Sequence, residues 1–343
     1  MRVSVVIPAR NAAGTLPACL EALVRQVRSA DEVVLVDNGS ADATADVARS
    51  FRDRLPGLRV VCEPRPGEAV ARNRGVAEAT GDVIAFTDAD CVPHEEWLAR
   101  ALEALEEDPP CHAVAGEVTG YRPVRLVEKY LTVCAFPASG HGQVVCGLRF
   151  PPSTFYTANL CVRREVLERV GPFDEGLRGG VDVALCVRLL RAGFRIRYEP
   201  RVVVAHVQRD SLRKAARRLF EYGTGLPGWF RKHGEPGLWV TLPGDRSVRL
   251  RWFRRPGWVN LATPDRVLAA LLAVSVLEPW AAALLGAYAV RLAWRLRSLA
   301  RRRHVPLATW ELAAVTALHV AEFPLFTAGT VVGSLRHRVL CVV

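Results

Sequence analysis

Gly81-Asp-Val-Ile-Ala-Phe-Thr-Asp-Ala-Asp90 is the stretch on which the fold turns. An apolar run, Val83 to Phe86, follows the turn signal Thr80-Gly81 and reads as a short buried strand. It ends in two carboxylates, Asp88 and Asp90, separated by one small residue. Alternate residues of an extended chain point the same way, so the two acids are expected to aim together just past the strand's end. Carboxylates that close repel unless a cation joins them or one is protonated. A hard divalent ion that also grips a diphosphate resolves the conflict. The competing reading of Asp-x-Asp alone is a helix cap or polar turn before Pro93.

Outward from this stretch the first third of the chain alternates strand-like and helix-like segments. Residues 3–7 precede an amphipathic stretch over 15–27; 32–37 precedes 42–51, 59–62 precedes 68–79, and 83–87 precedes 95–105. Such alternation, with β-branched strands, predicts a mostly parallel sheet with helices on both faces. Ligands of these sheets bind beyond the carboxyl ends of the strands. Three polar loops fall there: Pro8-Ala-Arg-Asn11, Asp37-Asn-Gly-Ser40 and Asp88-Ala-Asp90. From 108 to 160 the pattern loosens. Residues 165–169 and 183–192 then read as helices, 195–198 and 201–206 as strands, and the basic stretch 211–222 as a helix with residues 213, 214, 217 and 218 on one side.

The chain has 343 residues, half of them hydrophobic, which suits a large α/β domain with an appendage and argues against wholesale disorder. Its net charge of +11 suits phosphorylated substrates or anionic head groups. The early domain shows no basic–aromatic interleaving, so no nucleic-acid partner is expected. Nine scattered cysteines without Cys-x-x-Cys fit a reducing compartment. Met1-Arg2 leads directly into a strand, too short for a signal peptide, so the N-terminal domain is expected to be cytoplasmic.

The C-terminal part differs in kind. Residues 223–262 are rich in Gly, Pro and Trp and read as a linker, and 263–343 as a hydrophobic region. The apolar stretch 267–290 is interrupted by Glu278-Pro279, and a second, 307–335, carries Glu311, His319 and Glu322. Between them lie Arg291, Arg295, Arg297 and Arg301 to Arg303. Two spans from a cytoplasmic domain would leave this basic block outside, against the positive-inside tendency. The reading is therefore a re-entrant or interfacial helical hairpin at the membrane surface, with a soluble helical pair as the alternative.

Taken in order, the motifs are Val3-Ser-Val-Val-Ile-Pro-Ala-Arg-Asn11, Val34-Leu-Val-Asp-Asn-Gly-Ser40, Ala71-Arg-Asn-Arg-Gly75, Thr87-Asp-Ala-Asp90, Tyr156-Thr-Ala-Asn159, Val170-Gly-Pro-Phe-Asp-Glu175, Gly180-Val-Asp182, and Tyr198-Glu-Pro with Ala205-His206. Over residues 1–222 this series resembles the family-2 glycosyltransferases. The resemblance implies the GT-A fold, an inverting reaction with a nucleotide-sugar donor such as a UDP- or GDP-sugar, and a lipid, glycan or peptide acceptor.

It also implies roles for residues of this chain. Pro8, Arg10 and Asn11 match the loop that cradles the nucleotide. Asp37, with Asn38 beside it, matches the carboxylate reading base or ribose; an Asx turn with Asn38-Gly39 explains Asp37 equally well from local sequence. Arg72 and Asn73 match the segment flanking the diphosphate, where a guanidinium pairs with phosphate. Asp88 and Asp90 match the site of Mg²⁺ or Mn²⁺, with Asp88 also facing the donor. His206 matches a position that supplies a further metal ligand in some members; a buried or capping histidine is its other reading. Asp182 matches the base that deprotonates the acceptor hydroxyl. The chain departs from the pattern in having Val181 where the family usually shows Glu, and Ala184 where a second acid often follows. A catalytically impaired nucleotide-sugar-binding homologue and a sugar-nucleotide nucleotidyltransferase are the remaining alternatives. The single glycine of Pro8-Ala-Arg-Asn-Ala-Ala-Gly14 speaks against the latter.

Overall fold

The apolar runs of the first third become neighbouring strands of one sheet. The computed structural model describes every residue except 108–109, 137–140, 148–149, 151–154, 178, 244–245 and 279. In chain order come β1 (Val3–Ala9), α1 (Leu16–Val24), β2 (Glu32–Asp37), α2 (Thr44–Arg49), β3 (Leu58–Cys62), α3 (Glu68–Glu78) and β4 (Val83–Phe86). There follow β5 (Cys91–Pro93), α4 (Trp97–Glu106), β6 (Ala113–Gly120), α5 (Leu126–Cys134), β7 (Gln143–Cys146), a 3-10 turn Thr157–Asn159, β8 (Leu160–Arg163), α6 (Arg164–Val170), α7 (Val181–Arg191) and β9 (Arg195–His206).

The chain divides into two compact units. The first comprises Met1–Arg122, Ala138–Gly176 and Val181–Val207. Its sheet runs β3-β2-β1-β4-β8-β6-β9-β5, with β7 also on β9. β3, β2, β1 and β4 are mutually parallel, β8 lies antiparallel between β4 and β6, and β6 and β9 are parallel. The central strands are buried on both faces, as parallel strands covered by helices must be. α3 packs on β1 and β2, and α4 on β9 and β6. Gly75 lets α3 approach: a Cβ there would lie 2.3 Å from Val6 Cγ1.

Residues 195–198 and 201–206, expected as two strands, form the single long β9. Its register against β6 shifts between Gly116 and Glu117, so the interruption at Pro200 is absorbed as a bulge.

The second unit comprises Pro123–Pro137, Leu177–Gly180 and Gln208–Val343. Here the expectation of a linker over 223–262 does not hold. α8 (Leu212–His233) runs past 222, and β10 (Gly237–Leu242), β11 (Arg246–Leu250) and β12 (Pro256–Asn260) follow. Next come α9 (Pro264–Leu277), α10 (Ala281–Arg302), α11 (Thr309–His337) and β13 (Leu340–Val342). The four strands pair in the order β11-β10-β12-β13. Glycines and prolines that suggested a linker sit instead at strand ends and close contacts: a Cβ on Gly257 would lie 2.6 Å from the Leu340 carbonyl oxygen. The apolar stretch 267–290 is two helices, because α9 ends at Leu277 before Pro279. A core of Tyr130, Leu131, Leu292, Leu296, Ala300, Leu312 and Val315 joins α5, α10 and α11.

Candidate active site

The loops expected to converge lie at the carboxyl ends of β1, β2 and β4, side by side because those strands are neighbours. Asn11 takes a left-handed backbone (φ +50°), a conformation that asparagine tolerates better than most residues. Its amide N–H donates to Ser40 Oγ (3.0 Å), and its side-chain oxygen accepts from the Ala41 N–H (2.8 Å). The loops after β1 and β2 are thereby tied together, with Arg10 exposed and Pro8 half-buried beside them. Asp37 Oδ1 accepts from the Ser40 N–H, three residues on, at 3.1 Å, which closes the loop after β2 on itself.

Two of the asparagines hold loops. Buried Asn38 donates to the carbonyls of Glu63 (2.9 Å) and Arg65 (2.6 Å) and accepts from the Gly67 N–H (2.9 Å). Its amide is engaged within the protein, pinning the β3–α3 connection. Asn73 does the same for residues 173–175: it donates to Phe173 O and Glu175 Oε1, both at 2.9 Å, and accepts from Phe173 N at 2.7 Å.

The two carboxylates of the opening stretch part company. Cys91 N–H donates to the Asp88 carbonyl at 3.0 Å, so Asp88-Ala-Asp90-Cys91 closes a turn rather than continuing the strand. The side chains of Asp88 and Asp90 therefore do not alternate as they would along a strand. Asp88 Oδ1 lies 3.0 Å from Arg72 Nη2. Asp90 Oδ2 lies 3.4 Å from His206 Nε2, brought there because β5 and β9 pair with Cys91 opposite His206.

Asp90, Cys91 and His206 present ligand atoms all within 4.8 Å of one another, and Asp88 is not in that group. A carboxylate and an imidazole, partly open to solvent, fit Mn²⁺ and tolerate Mg²⁺. Burial, reinforced by Asp88 and Asp90, pushes the Cys91 thiol well above its usual range.

Arg72 is the hub. Only 4% exposed, it pairs with Asp88 and, one turn back on α3, with Glu68 (3.4 Å). It also feels the charge of Asp182. Its Nε is buried with no hydrogen-bond partner, a donor left over for a ligand oxygen.

Asp182 stands in the first turn of α7, half-buried. Thr157 Oγ1 donates to its Oδ1 at 2.8 Å. Burial pushes its pKa up to about 6; the Arg72 charge and the Thr157 hydrogen bond pull the other way.

Thr157 itself is fully buried in the 3-10 turn, which is fixed from several sides. Thr87 Oγ1 donates to Ala158 O (3.1 Å), Trp97 Nε1 donates to Asn159 Oδ1 (2.8 Å), and Asn159 Nδ2 donates to the carbonyls of Glu117 (2.8 Å) and Val202 (2.9 Å). Sequence reading assigned no part to Thr157 or Glu68. Glu68 was legible as an i,i+4 partner of Arg72; nothing local links Thr157 to Asp182. Val181 and Ala184, where the family shows acids, are buried at 2% and 0%.

The sequence model of Glycosyl transferase family 2 matches residues 4–171. Glycosyltransferase AglE of Haloferax volcanii is 33% identical over 230 residues, covering 65% of this chain and 72% of that protein. Pre-mycofactocin glycosyltransferase of Mycobacterium tuberculosis is 36% identical over 234 residues, and this chain spans 47% of its length. Among solved structures, mannosyltransferase PcManGT of Pyrobaculum calidifontis, in complex with GDP-Man and Mn2+, shares the fold with a TM-score of 0.56 at 23% identity, over 97% of this chain and 86% of its own. S. aureus TarS 1-349 in complex with UDP-GlcNAc gives 0.52 at 17% identity, over 98% and 92%. The chain belongs to the family-2 glycosyltransferases, and the nucleotidyltransferase alternative falls away.

Proposed function

We propose that this glycosyltransferase moves a sugar from a nucleoside diphosphate donor to an acceptor hydroxyl with inversion, and that Asp182 is the general base. The observation that carries the reading is the Asp182 carboxylate. It is held by Thr157 at 2.8 Å, pushed up to about 6 by burial, and shares the charge field of Arg72 with Asp88. A base with a pKa near operating pH combines a useful ionised fraction with a strong pull on the proton. The acceptor O–H gives its proton to Asp182 while its oxygen forms the new bond to the anomeric carbon. The bond from that carbon to the diphosphate oxygen breaks, and the nucleoside diphosphate leaves with the electron pair. One displacement inverts the configuration.

Asp90 and His206, with Asp88 beside them in the same turn, would hold Mg²⁺ or Mn²⁺. Such an ion would neutralise the charge growing on the departing diphosphate. Arg10, Asn11 and Asp37 would contact the nucleoside, and the leftover Nε of Arg72 would serve a phosphate oxygen. PcManGT in complex with GDP-Man and Mn2+, and TarS with UDP-GlcNAc, support a GDP- or UDP-sugar donor. The acceptor would be a lipid, glycan or peptide at the cytoplasmic membrane face.

The impaired-homologue reading rested on Val181 and Ala184. Both side chains are buried, so apolar residues suit those positions, and Asp182 is untouched. The test is a thermal-shift screen against UDP, GDP, dTDP and their sugar conjugates, each with and without Mn²⁺, followed by turnover with the stabilising donor. Metal-dependent stabilisation by one nucleotide is expected. No shift with any of them would overturn the donor assignment.

A further inference from the structure

Among the described helices, α11 alone is long and apolar enough to cross a bilayer. Its packing within the second unit argues against that use. α8 lies against it backbone to backbone: a Cβ on Gly223 would lie 2.4 Å from Phe326 O, and one on Gly333 would lie 2.5 Å from Thr224 O. α8 carries solvated ions: Lys214 pairs with Asp210 just ahead of the helix, and Arg217 with Glu221. If α11 crossed hydrocarbon in this arrangement, α8 and its charges would go with it, at prohibitive cost. Polar groups of α11 are also engaged by α5: Lys129 pairs with Glu311 at 2.7 Å, and Tyr130 donates to Glu322, which binds His319 at 2.6 Å. α11 is thus held by α5 and α8, with Leu312, Val315, Gly329, Thr330 and Gly333 buried at those contacts.

α9 and the first half of α10 are the opposite case. No described residue of α9 beyond its N-cap is buried, although the helix is almost wholly apolar. Leu272 is 56% and Val276 78% exposed. In α10, Leu284 and Val290 are exposed, and the helix joins the core only from Leu292 onward, through Leu292, Leu296 and Ala300. Just where burial begins, exposed Arg291, Arg295 and Arg297 appear beside Trp294. α9, of 14 residues, is about 21 Å long, short of the roughly 30 Å of a hydrocarbon core. Glu278 is exposed at the turn between the helices, so a tip-first insertion would carry a carboxylate towards the bilayer centre.

We infer that α9 and the first half of α10 lie in the plane of one leaflet of an anionic bilayer, with Arg291, Arg295 and Arg297 on lipid phosphates, while α11 spans nothing. The partner is the lipid surface itself. α9 packs against α10 and α11, and the apolar face it leaves exposed, flanked by arginines and tryptophan, is matched by acyl chains beneath anionic head groups. This deepens the membrane-face part of the proposed function and is read without turnover, so its failure leaves sugar transfer untouched.

The test adds the full chain to preformed vesicles of phosphatidylcholine alone or mixed with phosphatidylglycerol and measures co-flotation. Binding at least about tenfold stronger to the anionic vesicles, weakened by salt, is expected. The double variant Leu272→Asp, Val276→Asp should lose binding to both with an unchanged melting temperature, since neither side chain is in the core. Arg291→Glu with Arg295→Glu should lose only the preference for phosphatidylglycerol. Tryptophan quenching by lipids brominated near the head group, rather than near the chain end, is expected for in-plane seating. Quenching strongest at the chain ends would overturn it in favour of spanning. Gel filtration showing a dimer that Leu272→Asp dissociates, with no vesicle binding, would assign the face to a second copy instead.

Discussion

Arg72 Nη2 sits 3.0 Å from Asp88 Oδ1, so one acid of the Asp-Ala-Asp turn is paired with a buried guanidinium, while the other acid, Asp90, is beside His206. The pair ties the donor-side turn to the base, because the same guanidinium also lowers the pKa of Asp182. Replacing Arg72 with Gln should leave Asp88 and Asp182 without their shared countercharge. We expect the acid limb of the kcat profile to move to higher pH and stability to fall by about 3 kcal/mol. An unmoved limb would remove Arg72 from the charge field of the base.

Asp182→Asn should cut kcat by roughly 10²–10⁴-fold while nucleotide-induced thermal stabilisation persists. In the parent, activity should fall as pH drops through about 6, where Asp182 takes up its proton. Full activity of the Asn variant would end the assignment.

The same carboxylate has a consequence for folding. Its folded pKa of about 6 stands above the ordinary carboxylate value of 3.8 expected when unfolded, so in that window the folded state binds more protons. Stability from this group is therefore present below about pH 4 and lost as pH rises through 6. Asp182→Asn should be more stable than the parent by about 3 kcal/mol at pH 7, and equal to it near pH 3. Equal melting temperatures at both pH values would contradict the desolvated carboxylate.

Thr157 donates the hydrogen bond that fixes Asp182. Thr157→Val should raise the pKa of the base, shifting the acid limb upward and lowering kcat with donor KM little changed; Thr157→Ser should restore both. An acid limb left unmoved in the Val variant would mean that the hydroxyl does not set the base.

His206→Ala and Asp90→Ala should each weaken metal-dependent donor stabilisation, on the order of 10–100-fold in metal concentration required. Titration of Mn²⁺ against thermal shift measures it. Metal-independent donor binding by the parent chain would refute the site.

Val181 is buried at 2%, so inserting the acid common in the family is not a simple restoration. Val181→Glu should destabilise by at least about 2 kcal/mol, because a carboxylate would have to be desolvated at a position only 2% exposed. Thermal denaturation decides it, and a stable, more active variant would show that the site can accommodate the charge.

The strands were legible because burial on both faces leaves a local mark: Val5, Val34 and Ile84 sit in unbroken apolar runs, and β1, β2 and β4 formed where those runs predicted. The helices between them were legible from periodicity for the same reason. Residues 223–262 were misread because their glycines and prolines have the composition of a linker, whereas their close contacts, such as Gly257 against Leu340, are made with distant segments.

The β-α alternation, the three polar loops at the strand ends and the acids available to them are properties of local sequence. Tertiary structure alone decided how those acids are divided. Asp88 met Arg72 and Asp90 met His206 because the chain turns after β4 and because β5 pairs with β9, two events that no local pattern encodes. Thr157 reached Asp182 only through the placement of the 3-10 turn beside α7. Hydrophobic periodicity reports which side of an element is buried; a charged group's partner depends on strand register and turn geometry set by the whole sheet.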